Sequence, residues 1–361
     1  MKSRGYNFGA GPAALPEVIL KQTQAELLNW QEKGMSILEI GHRTNDFMEL
    51  MEKSQVLLRE LLSIPQNYHV LFLGGATRMQ FAMLPMNLLS KDKQAGYFIS
   101  GVWSKIAYEE CKHLKRAYCV ASTENTGFTK IPEPINWQLQ DNTAYVYFSS
   151  NETINGVQFG ECPQFGDIPV ISDMTSSFLS EPVNIQDYGV IFAGSQKNVA
   201  PAGLTIVIVK DELLRGQPEY PIPTMLDYRT YVKHNSFYAT LPTFNCYMAY
   251  QMFEWIKEQG GVSELQKLNV AKAKKLYDYI DNNSFYKCNV DTKSRSIMNV
   301  CFTIANKDLE PAFIAKASDA GLLALKGHKM VGGLRASIYN SMPMAGVDAL
   351  LNFMDEFAKT N

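Results

Sequence analysis

Cysteine is scarce and scattered in this chain. The six residues, Cys111, Cys119, Cys162, Cys246, Cys288 and Cys301, form no CxxC pair. The five histidines, at 42, 69, 113, 234 and 328, are equally dispersed. Neither a metal site nor a disulfide framework is expected, and a reducing, cytoplasmic setting suits the chain better. Excess charge is also lacking: the net charge is −2 at pH 7, which argues against a nucleic-acid surface as the main business. No apolar run is long enough to cross a membrane. The opening MKSRGYNFGAGPAALP carries positive charge without the apolar stretch of a signal peptide, so neither an anchor nor a leader is expected. Repeats and low-complexity segments are absent.

What is present is ample for a core. The chain has 361 residues, 46% of them apolar and 11% aromatic. A single core would be near its upper size at this length, so one large and one smaller domain are expected. Apolar runs alternate with helical patterns from residue 70 to 210, which predicts a mostly parallel, doubly wound α/β sheet. The expected division is an extended arm over 1–16, a large domain over 17–258 and a small α+β domain over 259–361. A helix is predicted from Pro16 to about Glu32, stopped by Gly34. Another runs from Phe47 to Leu61 on i, i+3, i+4, i+7 spacing. Prolines 218, 221, 223 and 242 mark 211–242 as a long functional loop. Beyond it come helices from Thr243 and after Gly261, strands at Ile297–Ile304 and Leu334–Ile338, and helices at Asp308–Ala320 and Met344–Ala358.

The loops carry the chemistry. Gly74-Gly75-Ala76-Thr77-Arg78 joins a buried strand to a helix, a natural place for an anion, although an ordinary turn has the same look. It lacks the GKS/T ending of a Walker motif. Gly9–Ala14 has the outline of a GxGxxA dinucleotide loop, but Pro12 removes an amide that such a loop would offer. Gly41-His42-Arg43 by itself reads as a solvated turn. Trp103 follows a strand at Ala95–Ser100, where its ring could either pack in the core or stack on a planar ligand. Lys326–Ser337 gathers His328, Lys329 and Arg335 in a Gly-rich segment.

The stretch that organises the rest is Ser195-Gln196-Lys197-Asn198, a polar turn between the apolar runs Tyr188–Ala193 and Leu204–Val209. Asp173 closes an earlier apolar run. Two strand ends of one sheet would present an amine and a carboxylate to the same crevice. Pyridoxal phosphate fits between them, with a lysine for its aldehyde and an aspartate for its ring nitrogen.

Several motifs together resemble the phosphoserine aminotransferase family, class V pyridoxal phosphate enzymes of fold type I. They are Asn7-Phe8 with Gly11-Pro12-Ala13, Gly41-His42-Arg43, Asn151-Glu152-Thr153-Ile154, Gly194–Asn198 with Gly203-Leu204-Thr205, Pro242-Thr243-Phe244, Leu325–His328, Val331-Gly332-Gly333 and Arg335–Asn340. The resemblance covers essentially the whole chain. It implies that Lys197 holds the cofactor, that Asp173 pairs with its ring nitrogen, that Trp103 stacks on the ring and that Thr153 binds the phenolic oxygen. It also implies a cofactor phosphate held by Thr77, Arg78 and Gln196, joined by Ala239 and Thr240 of a second subunit in a homodimer. Arg335 would take the substrate α-carboxylate, and His42, Arg43, His328 and Lys329 the distal phosphate or γ-carboxylate. The implied reaction moves an amino group from glutamate to 3-phosphohydroxypyruvate, with the 4-phosphohydroxythreonine pair of vitamin B6 synthesis as a second use in some members.

Three positions depart from the family's habit. Ala239 stands where Asn is frequent, Lys329 where Arg is frequent, which gives up a planar fork, and Gly9-Ala10 where Ser-Ser is frequent. A serine–pyruvate-type class V enzyme would need no cluster for a distal phosphate. A cysteine desulfurase would need a mobile catalytic cysteine, which no loop here offers. A non-catalytic pyridoxal phosphate carrier or a dinucleotide-binding module remain the readings from other classes.

Overall fold

A computed structural model describes residues 4–216 and 218–361. The chain opens with β1 (Tyr6–Asn7), α1 (Glu17–Glu26) and α2 (Asn45–Leu62). It continues through β2 (Tyr68–Gly74), α3 (Gln80–Leu88), β3 (Gln94–Ile99), α4 (Val102–Lys112), β4 (Ala117–Ser122) and β5 (Thr143–Ser149). A small hairpin, β6 (Asn151–Glu152) and β7 (Val157–Gln158), precedes β8 (Val170–Asp173), β9 (Val190–Gly194) and β10 (Leu204–Lys210). Then come α5 (Tyr228–Lys233), α6 (Thr243–Glu258), α7 (Val262–Asp281), β11 (Tyr286–Lys287), β12 (Asn299–Ile304), α8 (Glu310–Asp319), β13 (Leu322–Leu323), β14 (Leu334–Ser337) and α9 (Met344–Thr360).

Seven strands form the main sheet in the order β2-β10-β9-β8-β5-β3-β4. All run the same way except β10, which is antiparallel to both neighbours. Alternation along each strand sends side chains to opposite faces. Val70 and Phe72 of β2, with Ile206 and Ile208 of β10, pack in one apolar core with Leu50, Leu58, Met252 and Ile256 of α2 and α6. Their neighbours Leu71, Leu73, Val207 and Val209 pack in another, with Phe81 of α3, Ala107 of α4 and Tyr228 of α5. A third core joins β11, β12 and β14 to α7, α8 and α9. Helix α7 serves two of them: Val262 and Leu265 belong to the first core, Leu276 and Ile280 to the third.

The mostly parallel doubly wound sheet and the smaller α+β unit are as expected, with differences in detail. The first helix ends at Glu26, six residues early, and a 3-10 turn follows at Trp30–Glu32. The chain bends there to bury Trp30 edge-on against Tyr247, at 6.4 Å between centroids. The long loop of 211–242 contains α5, which Asp227 caps by accepting from the Arg229 N–H at 2.9 Å, while Tyr228 and Tyr231 sit one turn apart in the core. The arm pairs Tyr6–Asn7 in parallel with Leu322–Leu323 and buries Phe8 in the third core.

Candidate active site

Parallel strands leave their carboxyl ends at one edge of the sheet, and the site lies there. A cavity of about 530 Å³ is lined by Gly75–Arg78 after β2, Trp103 at the start of α4, Asn151 and Thr153 of the hairpin, Asp173 and Thr175 after β8, and Gln196-Lys197 after β9. Gly11 and Pro12 of the arm close one side. The arm is held there by the Ala13 N–H, which donates to the Gln196 carbonyl at 2.9 Å. Gly9–Ala14 thus roofs the cavity rather than forming a turn between strand and helix.

Lys197 is buried, and its Nζ donates to the Thr153 hydroxyl at 2.5 Å. Burial pushes the amine down from 10.5 to about 8, against the nearby Asp173 charge; Arg335 adds to the fall. Asp173 is likewise enclosed. Burial pushes its carboxyl up, while Thr175 and Lys197 hold it down; the Thr175 N–H donates to Oδ1 at 2.8 Å. An amine poised near neutrality beside a buried carboxylate is an arrangement that a structural lysine does not need.

Thr77 and Gln196 approach each other over Gly194, where an added Cβ would lie 2.1 Å from the Thr77 Oγ1 and 2.4 Å from the Gln196 Oε1. The Arg78 guanidinium sits over the Trp103 ring, 5.7 Å from its centroid. Neither Arg78 nor Arg335 has a carboxylate partner among the described residues. Arg335 adjoins the cavity through Thr153, donating from Nη1 to its carbonyl at 3.4 Å, and its Nε is buried with no acceptor. The Trp103 Nε1 and the Asn151 Oδ1 are also buried without partners. Buried polar groups without partners are uncommon in folded proteins, and these three cluster in the wall beside the cavity.

The sequence-predicted residues divide into three groups. Thr77, Arg78, Trp103, Thr153, Asp173, Gln196 and Lys197 share the cavity. Arg335 lies beside it, and His328 and Lys329 are near enough for their charges to matter: burial first, then Arg335 and Lys329, push the His328 imidazole down. His42, Arg43, Ala239 and Thr240 do not line the cavity within one chain. Ala239 and Thr240 instead line a neighbouring hollow of about 370 Å³ that shares Gly75 and Gly203 with it. Asn151, Thr175 and Ser176 line the cavity with no role assigned to them from sequence; Asn151 stands in the Asn-Glu-Thr-Ile motif, and the other two follow Asp173 directly.

The donor set fits pyridoxal phosphate. A cluster of hydroxyl, amide and guanidinium donors at Thr77, Arg78 and Gln196 suits a phosphate, and Asp173 and Lys197 suit the two reactive positions of the ring. These features define a pyridoxal-phosphate-dependent transferase. Comparisons narrow the class further. The sequence model described as Aminotransferase class-V matches residues 5–350. A phosphoserine aminotransferase of Legionella pneumophila, strain Philadelphia 1, is 59% identical over 361 residues, 100% of each chain. One from Pseudomonas entomophila is 45% identical over 359 residues, 99% of each. The solved phosphoserine aminotransferase of Bacillus circulans subsp. alkalophilus superposes with a TM-score of 0.97 at 43% identity, covering 99% of each chain. The pyridoxal-phosphate-bound enzyme of Trichomonas vaginalis gives 0.94 at 39%, covering 98% of this chain and all of the other. The chain belongs to the class-V aminotransferases, within the family of the phosphoserine aminotransferases. It is an enzyme of fold type I, and its cofactor is pyridoxal phosphate.

Proposed function

We propose that the chain transfers the amino group of L-glutamate to 3-phosphohydroxypyruvate, giving O-phospho-L-serine and 2-oxoglutarate. The observation that carries this is the Lys197–Thr153–Asp173 cluster set beside an Arg335 with a free, buried N–H. Pyridoxal phosphate, when bound, supplies an aldehyde that takes the amino group and a ring that draws electrons from the reacting carbon. Thr77, Arg78 and Gln196 would hold its phosphate, and Trp103 would stand beside its ring. Asp173 keeps a proton on the ring nitrogen, since a buried anion favours the charged form of its neighbour. Thr153, whose hydroxyl meets Lys197 Nζ, orients that amine. Lys197 Nζ is placed to take the Cα proton of the amino donor and, with the oxo-acid acceptor in its place, to return a proton to that acceptor's Cα, a task suited to an amine brought down to about 8. Arg335 binds the α-carboxylate through its planar fork.

The distal phosphate needs further cations, because several buried negative charges without partners are prohibitively costly. His328 and Lys329 supply part of that set, and His42 and Arg43 the rest. The latter pair and Ala239-Thr240 lie off the cavity of their own chain, which supports a homodimer whose partner completes each site. We assign the arm to 1–16, the large domain to 17–258 and the small domain to 259–361, and place the enzyme in the cytoplasm. The 4-phosphohydroxy-L-threonine pair, used by some members of the family, is the second substrate pair to try in the same assay. No described helix is long and apolar enough to cross a membrane.

The test is the visible spectrum of the purified holoenzyme together with product analysis. Glutamate should shift the cofactor band, and phosphohydroxypyruvate should restore it with formation of phosphoserine. A band that ignores glutamate points to a carrier, and pyruvate outperforming phosphohydroxypyruvate points to a serine–pyruvate type; either overturns the proposal.

A further inference from the structure

Glu152 is fully enclosed and is paired with no cation among the described residues. Its partners are backbone amides at the start of α4. Oε2 accepts from the Trp103 N–H at 3.0 Å, and Oε1 accepts from the Ser104 N–H at 2.8 Å. Asn155, from the same short hairpin, accepts from the Val102 N–H at 3.1 Å. Gly101 makes room: an added Cβ there would lie 2.4 Å from the Glu152 carboxyl carbon. The first turn of α4 is therefore capped by residues roughly fifty positions further along the chain.

A local serine or aspartate caps a helix without burying a charge from elsewhere. The long-range cap achieves what a local one does not. It ties the turn that carries Trp103 to the hairpin that carries Asn151 and Thr153, and Thr153 holds Lys197. Helix amides and the helix dipole make the enclosed carboxylate tolerable, since charge-assisted bonds of this kind are the strong ones. The same carboxylate lies near enough to bias Lys197 toward its protonated form.

We infer that Glu152 is a positioning residue, which fixes the Trp103 ring at a set separation from Thr153 and Lys197 so that the cofactor ring is gripped between them. The inference rests on the placement of pyridoxal phosphate in this cavity. The test uses full-length protein stripped of cofactor, titrated with pyridoxal phosphate, with circular dichroism of the bound cofactor's visible band as a second readout. Glu152→Gln keeps the shape but turns a donor toward one of the two amides. It should weaken pyridoxal phosphate by roughly tenfold, the loss of one charged hydrogen bond, and change the visible dichroism. Asn155→Ala removes only the bond to the Val102 N–H, one residue before Trp103, and should move both readouts in the same direction but by less than Glu152→Gln does. Glu152→Asp, too short to reach both amides, should fall between Gln and wild type. Binding by Glu152→Gln within twofold of wild type with the same dichroism overturns the inference, as does an Asn155→Ala variant that matches it in both readouts. Wild-type affinity in Glu152→Asp overturns it too, and if neither Glu152 variant folds, the residue is only a structural cap and the inference fails. Wild-type protein that takes up no pyridoxal phosphate would overturn the site placement itself, a result distinct from normal wild-type binding with an unaffected Glu152→Gln.

Discussion

Replacing Lys197 with methionine should stabilise the cofactor-free protein at neutral pH, even though it abolishes transamination. The amine is only 8% exposed, and burial brings it from 10.5 down to about 8. That fall corresponds to about 3 kcal/mol against the ammonium in the folded state. Methionine keeps the length of the stem and removes the charge. One loss opposes the gain, the hydrogen bond to Thr153, worth about 1 kcal/mol; the attraction of Asp173 is already contained in the net fall. A net gain of about 1–2 kcal/mol is expected at pH 7. The sign with pH follows from proton binding. Below about 8 the lysine is charged in both states, and the folded protein bears the full burial penalty. Between about 8 and 10.5 the unfolded chain keeps a proton that the folded chain has lost, so wild-type stability rises with pH. The advantage of Lys197→Met should therefore shrink across that window. Urea unfolding of both stripped proteins, at equal concentration and at pH 7 and 10, measures it. A variant less stable than wild type at pH 7, or a difference that does not change with pH, would refute the reasoning.

Other expectations follow from the same geometry. Arg335→Ala should lower kcat/KM about equally for phosphoserine, glutamate and serine, by roughly ten- to a hundredfold, since all three carry the α-carboxylate. Arg43→Ala and His328→Ala should penalise phosphoserine far more than serine, and equal losses would place the phosphate pocket elsewhere. Lys272, completely buried, donates from Nζ to the carbonyls of Ile338, Tyr339 and Met342 at 3.0, 2.8 and 3.0 Å. Burial brings the Lys272 amine from 10.5 down to about 7, so Lys272→Met removes a larger burial penalty than Lys197→Met, while leaving three buried carbonyls unmet at about 1–3 kcal/mol each. The two should nearly offset, and the denaturation midpoint at pH 7 should move far less than for Lys197→Met, with the slope unchanged. Mixing the inactive variants Lys197→Ala and Thr240→Trp should restore partial activity through heterodimers with one intact site. No recovery after demonstrated subunit exchange would mean that Thr240 acts within its own chain.

The main sheet was legible because its strands are largely apolar runs of four to seven residues between polar turns, and because Asp173 ends one such run and Lys197 follows another closely. What composition hid was direction and length. The link between β9 and β10, residues 195–203, is too short for a parallel crossover, and that spacing was the available signal for the single antiparallel strand. The residues from 17 to 32 favour helix throughout, yet the chain breaks at Glu26 because burying Trp30 against Tyr247 outweighs the local preference. Helix α5 was masked by flanking prolines, although Asp227 with tyrosines at 228 and 231 was a capped, one-turn apolar signal.

The site itself separates into what a pattern can carry and what only folding creates. Lysine and aspartate are ordinary at strand ends. Lys197 and Asp173 announced themselves because two such ends of one sheet open on the same crevice, and Arg335 because it lies in a Gly-rich segment with His328 and Lys329. Asn151 and Glu152 gave no such announcement, because their partners lie far along the chain: Glu152 meets residues 48 and 49 positions away, and Asn151 donates to Asn299 across 148. That second bond begins a buried chain of polar contacts, from Asn299 to Ser337 and Tyr339, and from the Tyr339 hydroxyl to the Ala10 carbonyl. It joins the cavity wall to the strand that presents Arg335 and to the arm that roofs the cavity. Apart from the Asn151 Oδ1, its side-chain members are bonded to one another, so the network helps to set the separation of lysine and arginine rather than merely filling space. On the proposed roles, a carboxylate bound by Arg335 would arrive at a fixed distance from the Lys197 amine that is to move the Cα proton, which is the condition under which positioning accelerates a reaction.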